Sequence, residues 1–430
     1  MRRKISYFAA LFLAAVLMTG GCSDISEAAE TAVMPETAVT SVFTQTTTPP
    51  DTEPPVSSYT EPADTAAAAP PGHVPDTEAF HARLEEICEA NGVYGMGVAI
   101  FADGEVIHTD SVGYADIDTK RPVTDDTIFR AASVSKLVST MLVMRLCDEG
   151  MYDFDGDLSE QSKLAYEVYG TGEVKLWHLL THTAGLTDTY TYDKLSPSMK
   201  YSTDYLLKKA HIGTAAGEFF NYTNFGAGTI GSVIERITGM FFHDYAERVM
   251  FEPLKMDAGY VIDKIRDREN CAVIYDHDGE VFNVPEWGRT SEYYESFGLG
   301  NSYLAAQCEL LIKAGDLALI GTALAGDGTV NGVRVLSEES IERMHEVYLE
   351  TDEFGVGLNV RIYEGNIVEG RTLCGHPGNA LGAITGLFYD RTDRTGVAIL
   401  TNRSYYYMDG TSGLYSTDSD VVRAVYSEFF

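Results

Sequence analysis

The sequence predicts an α+β fold: an antiparallel sheet assembled from both chain ends, helices packed on it, and a helical insertion between. Three observations carry this. Two alternating apolar runs flank Asp103-Gly104 in "GMGVAIFADGEVIHTDSVG", the pattern of a β-hairpin. Strand-like runs then stay scarce until "FGVGLNVRIY", "AITGLFYD" and "TGVAILTN" late in the chain. From about 150 to 300 the chain reads as helices, loops and many aromatics.

The elements follow in order. Arg2, Arg3 and Lys4 precede an apolar run from Ile5 to Met18, too short to span a bilayer comfortably. The run ends in "MTGGCSD", which predicts a lipoprotein signal peptide over residues 1–22 with Cys22 as the lipidated residue. Thr19 departs from the aliphatic residue that such a site prefers; an ordinary secretory signal is the alternative. Residues 23–75, rich in Thr, Pro, Ala and Glu, carry eight acidic residues and no Lys or Arg, the composition of a disordered tether. The folded domain is expected over 76–430. Asp76 caps a helix with Phe80, Leu84 and Ile87 on one face, stopped at Asn91-Gly92. A helix follows the hairpin, with Leu137, Met141 and Leu142 in its stripe. Another carries Ile230, Val233, Ile234 and Ile237 and stops at Gly239. A last one shows Val421, Val425 and Phe429 on one face.

Charge removes some partners. The 430 residues hold 31 basic and 64 acidic side chains, a net −33. Such a chain repels nucleic acid and anionic lipid surfaces. Six cysteines include no Cys-x-x-Cys pair, so zinc-ribbon and thioredoxin-type chemistry find no support. Beyond Cys22, the residues Cys88, Cys147, Cys271, Cys308 and Cys374 are odd in number and widely spread, and no disulfide can be named.

The chemistry concentrates in "FRAASVSKLVST". Ser133 and Lys136 lie three residues apart at the entrance to an apolar helix, on one helical face. A buried lysine costs desolvation unless it has a task. A bland reading makes Ser133 a helix cap and Lys136 a snorkelling side chain. The functional reading makes Lys136 the base that activates a serine nucleophile. Two further stretches favour function: "FNYTNFGAG", with Tyr222-Thr-Asn224, and "CGHPGNALG", with His376-Pro-Gly378.

In these motifs the chain resembles the serine β-lactamase and penicillin-binding family, in its class C, D-alanyl-D-alanine carboxypeptidase and esterase branch. That family carries Ser-x-x-Lys, Tyr-x-Asn and a Lys- or His-x-Gly triplet in this order. "GYADIDTKRPVTDDTIFRAASVSK", "LWHLLTHTAGL", "FEPLKMDAG" and "AILTNR" extend the likeness over about 84–403. The resemblance implies a β-lactamase-like α/β sandwich interrupted by a helical domain. It implies that Ser133 is acylated and that Lys136 and Tyr222 share proton transfer. Asn224 would orient the Lys136 amine and a substrate amide. His376 would line the site opposite Tyr222, and Gly378 would let its strand approach the substrate. The backbone N–H groups of Ser133 and Asn379 would form the oxyanion hole.

The third motif departs from the pattern. Where β-lactamases and transpeptidases place Lys and then Thr or Ser, this chain has His376 and Pro377, and proline has neither hydroxyl nor N–H. Recognition of a substrate carboxylate is expected to weaken. Ester or peptide hydrolysis is therefore expected ahead of β-lactam hydrolysis. Alternatives are a class C β-lactamase or D,D-carboxypeptidase, and a cell-surface binding protein without turnover. No metal or other cofactor is expected. His178 and His182 mimic metal spacing but lack an acidic third ligand, and "DFDGD" lacks the rest of a calcium loop. His182 reads as a brace for its loop. Tyr190, Tyr192 and Tyr405 to Tyr407 could wall a cleft or serve as ordinary tyrosines. The expected partners are a small-molecule or peptide substrate, with the cell wall as one source, and the membrane through the N-terminal lipid. The expected location is the extracytoplasmic face of a bacterial membrane.

Overall fold

The computed structural model describes residues 74–166, 173–188, 201–283 and 289–430, all within one compact unit. The expected signal, Cys22, nearly all of the tether, Tyr190 and Tyr192 lie outside the described residues.

Helix α1 (Thr77–Asn91) starts where Asp76 accepts from Ala79 N and ends at Gly92, in the left-handed region at φ 63°. Strands β1 (Gly95–Ala102) and β2 (Glu105–Asp116) form the hairpin. Asp103 and Gly104 both take positive φ, 50° and 88°, as a two-residue turn of this hand requires. The short β3 (Arg121–Pro122) and β4 (Ile128–Arg130) lead to helix α2 (Ser135–Asp148).

Among the described residues, the middle of the chain is mainly helical. Helices α3 (Leu158–Ser162), α4 (Leu176–Leu180), α5 (Thr203–Ala210), α6 (Asn224–Thr238) and α7 (Phe242–Ala246) come first. The strand pair β5 (Ile274–Tyr275) and β6 (Val281–Asn283) follows, then helices α8 (Ser291–Glu295) and α9 (Ala305–Cys308). Strand β7 (Leu311–Lys313) pairs antiparallel with β4 and feeds helix α10 (Ala314–Ala325). The hairpin β8 (Thr329–Val330) and β9 (Val333–Arg334) precedes helix α11 (Glu338–His345).

The closing stretch completes the sheet. Strands β10 (Leu349–Glu350), β11 (Gly355–Val356), β12 (Arg361–Glu364), β13 (Thr372–Ala380), β14 (Ala383–Asp390) and β15 (Thr395–Thr401) run antiparallel, and helix α12 (Ser416–Glu428) ends the chain. The sheet order is β10-β11-β12-β13-β14-β15-β1-β2-β3. The two chain ends meet where β1 pairs β15, from Met96 opposite Thr401 to Ala102 opposite Thr395.

Two cores result because every central strand is buried on both faces. Phe80, Leu84, Val98, Ile100, Ile399 and Val421 join α1 and α12 to one face. Ala99, Phe101, Leu387 and Leu400 face the other core with α2 and α10. Helix α2 is buried on almost every side, so it shows no amphipathic stripe and sits between the sheet and the helical region. Cys88, Cys271 and Cys374 are buried, and all five cysteines from Cys88 onward are free thiols.

Candidate active site

Ser133 does not stand on helix α2. It occupies a 3₁₀ turn, Ala132–Val134, that leads into it. Ala132 takes φ 47°, a left-handed conformation that costs a non-glycine residue about 1–3 kcal/mol. The surroundings hold it there. Ala131 N donates to Leu310 O at 2.8 Å and Thr385 Oγ1 to Ala131 O at 2.8 Å. Ser135 Oγ donates to Ala132 O at 2.6 Å and accepts from Leu310 N at 3.1 Å. Ser133 makes no side-chain cap bond, so the plain capping reading fails.

Lys136 does not snorkel; it is fully buried. Its Nζ reaches Ser133 Oγ at 2.9 Å, Asn224 Oδ1 at 2.8 Å and Gln307 O at 2.9 Å. These three contacts match the three donors of an ammonium. Buried charge of this kind needs full satisfaction, and it has it.

Asn224 opens helix α6, with Thr223 as its cap. Asp188, from the loop after α4, organises that helix start. Its carboxylate accepts from Asn224 N at 3.0 Å, Phe225 N at 2.9 Å, Thr223 Oγ1 at 2.8 Å and Asn224 Nδ2 at 3.2 Å. An acceptor on Nδ2 leaves Oδ1 for Lys136, which settles the orientation of the amide. Among the described residues, the other N–H of the amide has no acceptor.

The Tyr222 ring lies beside the lysine, its centroid 5.1 Å from Nζ. The His182 ring packs against it at a tilt, with centroids 4.4 Å apart, and accepts from Thr223 N through Nδ1 at 3.3 Å. Burial, then Lys136 and Arg361, push the His182 imidazole down to about 3. It is a neutral brace under Tyr222, more intimate with the site than a loop support.

His376 is the middle residue of β13, with Gly378 and Asn379 toward its end. His376 is 2 % exposed, its ring centroid 6.1 Å from that of Tyr222. Burial first, then Arg361 and Lys136, hold it well below the usual imidazole range, so it carries no charge. Its Nδ1 faces Pro377 O at 2.5 Å; a carbonyl only accepts, so Nδ1 bears the proton. Gly378 is a steric necessity. A Cβ there would come within 2.1 Å of Thr385 Oγ1, 3.0 Å of Ala131 O and 3.2 Å of Ser133 N. The strand therefore passes directly against the backbone of the serine turn. The Asn379 side chain points away to donate to the Tyr415 hydroxyl.

Two features of the site escape the sequence motifs. Arg361, in β12 opposite Gly375 of β13, lays its guanidinium 5.7 Å from the Tyr222 centroid and 4.5 Å from that of Phe354. It makes no ion pair among the described residues. The site thus holds a permanent positive charge that the third motif lacks; the one signal was a charged residue inside an apolar strand. The second is an ion triad. Glu309 accepts from Arg130 and, at 2.8 Å, from Arg289. Burial alone would raise its carboxyl, but the two guanidinium groups hold it below the usual carboxylate range. The triad ties β4, which enters the serine turn, to the segment that presents Gln307 O.

A serine bonded to a buried lysine, a tyrosine and asparagine at a helix start, and a strand pressed against the serine turn define a β-lactamase-type serine hydrolase. The profile described as Beta-lactamase matches residues 80–419, and the chain belongs to that family. A penicillin-binding protein 4 of Amycolatopsis lactamdurans is 26 % identical over 74 % of this chain and 84 % of its own. A beta-lactamase of Yersinia enterocolitica is 29 % identical over 41 % of this chain, and esterase EstB of Burkholderia gladioli 28 % identical over 48 %. Those two matches span only 45 % and 57 % of the relatives' own lengths. Among solved structures, a class C beta-lactamase superposes with TM-score 0.65 at 18 % identity, covering 82 % of this chain and 96 % of that one. A D-amino acid amidase from Ochrobactrum anthropi gives 0.64 at 20 %, covering 82 % and 99 %. At such identities the likeness is one of fold. It agrees with the α+β sandwich expected from the sequence.

Proposed function

We propose that this protein hydrolyses an ester or amide through an acyl-Ser133 intermediate. The carrying observation is the environment of Lys136. Once Lys136 has given up a proton, Asn224 Oδ1 and Gln307 O hold its other N–H groups, and the freed lone pair faces Ser133 Oγ, 2.9 Å away. Ser133 Oγ attacks the carbonyl carbon while Lys136, with Tyr222, takes the hydroxyl proton. That proton passes to the departing alcohol or amine, and water then cleaves the acyl-serine. The N–H groups of Ser133 and Asn379 receive the oxyanion. A fluorophosphonate or fluorescent penicillin label tests this: wild type labels, and Ser133→Ala does not while keeping its melting temperature. Labelling of the alanine variant at the wild-type rate would assign another nucleophile. The same label disposes of a silent binding protein, which would not react.

The substrate class follows from which charge the cleft offers. Neutral His376 and Pro377 support an esterase or D-amino-acid peptidase-like enzyme. Arg361 supports a second reading, a D,D-carboxypeptidase or β-lactamase acting on a carboxylate-bearing substrate. Relative turnover of p-nitrophenyl esters, nitrocefin and D-Ala-D-Ala peptides separates the two.

The enzyme is further proposed to be an exported lipoprotein held by Cys22 on the extracytoplasmic face, near peptide substrates of cell-wall origin. Support comes from the basic n-region, the apolar run and "TGGC". Mass spectrometry of the mature N-terminus tests it; a product beginning elsewhere than a lipidated Cys22 rejects the anchor.

A further inference from the structure

Helix α7 carries Phe242 inward, edge-on to Tyr260 with centroids 4.6 Å apart, and the next residue, His243, is buried as well. His243 is 2 % exposed, and among the described residues neither of its ring nitrogens has a hydrogen-bond partner. An imidazole buried in that way is costly and calls for an explanation. Its Nε2 faces two carboxylates, Asp244 Oδ1 at 3.8 Å and Glu295 Oε1 at 3.7 Å. Both gaps are too long for hydrogen bonds. The three atoms nevertheless lie within 4.8 Å of one another. Zinc takes His nitrogen at about 2.0–2.1 Å and carboxylate oxygen at about 2.0–2.2 Å, so small rotamer shifts would close the set around one ion. The two carboxylates are about 40 % exposed and able to make that adjustment.

The rim of the cluster already holds a cation. Lys264 Nζ sits 2.9 Å from Asp244 Oδ1 and 2.8 Å from Glu247 Oε2. Its side chain is 30 % exposed, so it can swing outward. We propose that His243, Asp244 and Glu295 bind a zinc-like divalent cation, with a fourth position open to water, and that Lys264 is the placeholder displaced when the ion enters. The bound ion would brace α7 against α8. None of these residues belongs to the site around Ser133, and the proposal is independent of the reaction assigned there. No sequence spacing announces it, because Glu295 lies far along the chain from the His243-Asp244 pair.

Titration of the purified full chain with Zn²⁺ in a calorimeter, and with Co²⁺ in a spectrophotometer, tests the site. One ion per chain is expected, with no thiolate-to-cobalt charge-transfer band, since no cysteine takes part. His243→Gln and Glu295→Gln should each weaken binding by roughly tenfold or more. Glu295 is exposed enough that its variant will fold even if the His243 variant does not. Lys264→Met, which removes the competing ammonium, should bind the ion more tightly than wild type. Failure of both wild type and Lys264→Met to bind in the micromolar to millimolar range would overturn the proposal. So would zinc affinity unaltered in Glu295→Gln, which would put the ion elsewhere. A Lys264→Met affinity no tighter than wild type would overturn the placeholder role.

Discussion

Asp188 holds Asn224 twice, by its backbone N–H at 3.0 Å and by its side-chain amide at 3.2 Å. The second bond points Asn224 Oδ1 at Lys136, and Lys136 in turn reaches Ser133. Asp188 touches neither Lys136 nor Ser133 in this chain of contacts. It positions the residue that positions the base.

Asp188→Ala should therefore lower turnover through Asn224. Asp188 accepts from the first N–H groups of α6 beside the Thr223 cap, and loss of a capping acceptor alone costs about 0.5–2 kcal/mol of stability. A kcat reduced roughly tenfold, equivalent to about 1.4 kcal/mol in the barrier, with KM little changed is the expected pattern. Steady-state kinetics on a neutral ester, beside a thermal melt, gives both numbers. A lower melting temperature with unchanged kcat would leave Asp188 as a support for the start of α6 and nothing more.

Arg361 and the third motif make opposing predictions that one experiment can weigh. A charge-assisted hydrogen bond contributes roughly 1.5–3 kcal/mol, so losing one costs about tenfold to a hundredfold. Arg361→Ala should lower kcat/KM for nitrocefin or a D-Ala-D-Ala peptide by that factor and leave a neutral ester nearly untouched. His376→Lys with Pro377→Thr should raise the nitrocefin rate relative to the ester. Equal losses on charged and neutral substrates would show that Arg361 only supports the Tyr222 ring.

Buried histidines make stability depend on pH. Burial, with Lys175 nearby, pushes His178 from 6.5 down to about 4. The unfolded chain accepts a proton at His178 that the folded chain refuses. Stability from this group is complete above the unfolded value and declines as pH falls from 6.5 toward 4. The slope reaches about 1.4 kcal/mol per pH unit, or up to about 2 kcal/mol between pH 6.5 and 5. Denaturant unfolding at pH 7.5 and pH 5 should show His178→Gln losing less stability than wild type by that margin. Parallel losses in the two proteins would remove His178 from the acid response.

Glu309 is a buried anion held by the buried Arg130 and by Arg289, whose side chain is 40 % exposed. Glu309→Gln would leave Arg130 buried without its counter-charge, a loss of about 3–5 kcal/mol. Because Leu310 N and O also hold the serine turn, acylation should slow along with the fall in melting temperature. A variant as stable as wild type would mean that the pair contributes no net energy.

Much of the frame was legible in the sequence because its signals are local. Asp76 and Gly92 mark the ends of α1 by cap chemistry, and Asp103-Gly104 marks the hairpin by its need for positive φ. Ser133 and Lys136 were readable as partners because three residues along a turn bring two side chains to one face. The family resemblance then placed Tyr222, Asn224, His376 and Gly378 around them. What periodicity and spacing could not show are contacts between residues far apart in the chain: Asp188 on Asn224, Gln307 O on Lys136, His182 against Tyr222, and Arg361 over the same ring. Ala132 looks helical by propensity, yet tertiary hydrogen bonds from Leu310 and Thr385 hold its turn out of the helix. The sequence by itself determined which groups could react. Only the tertiary structure decided their partners, since a side chain's charge, tautomer and direction depend on whatever distant chain is folded against it.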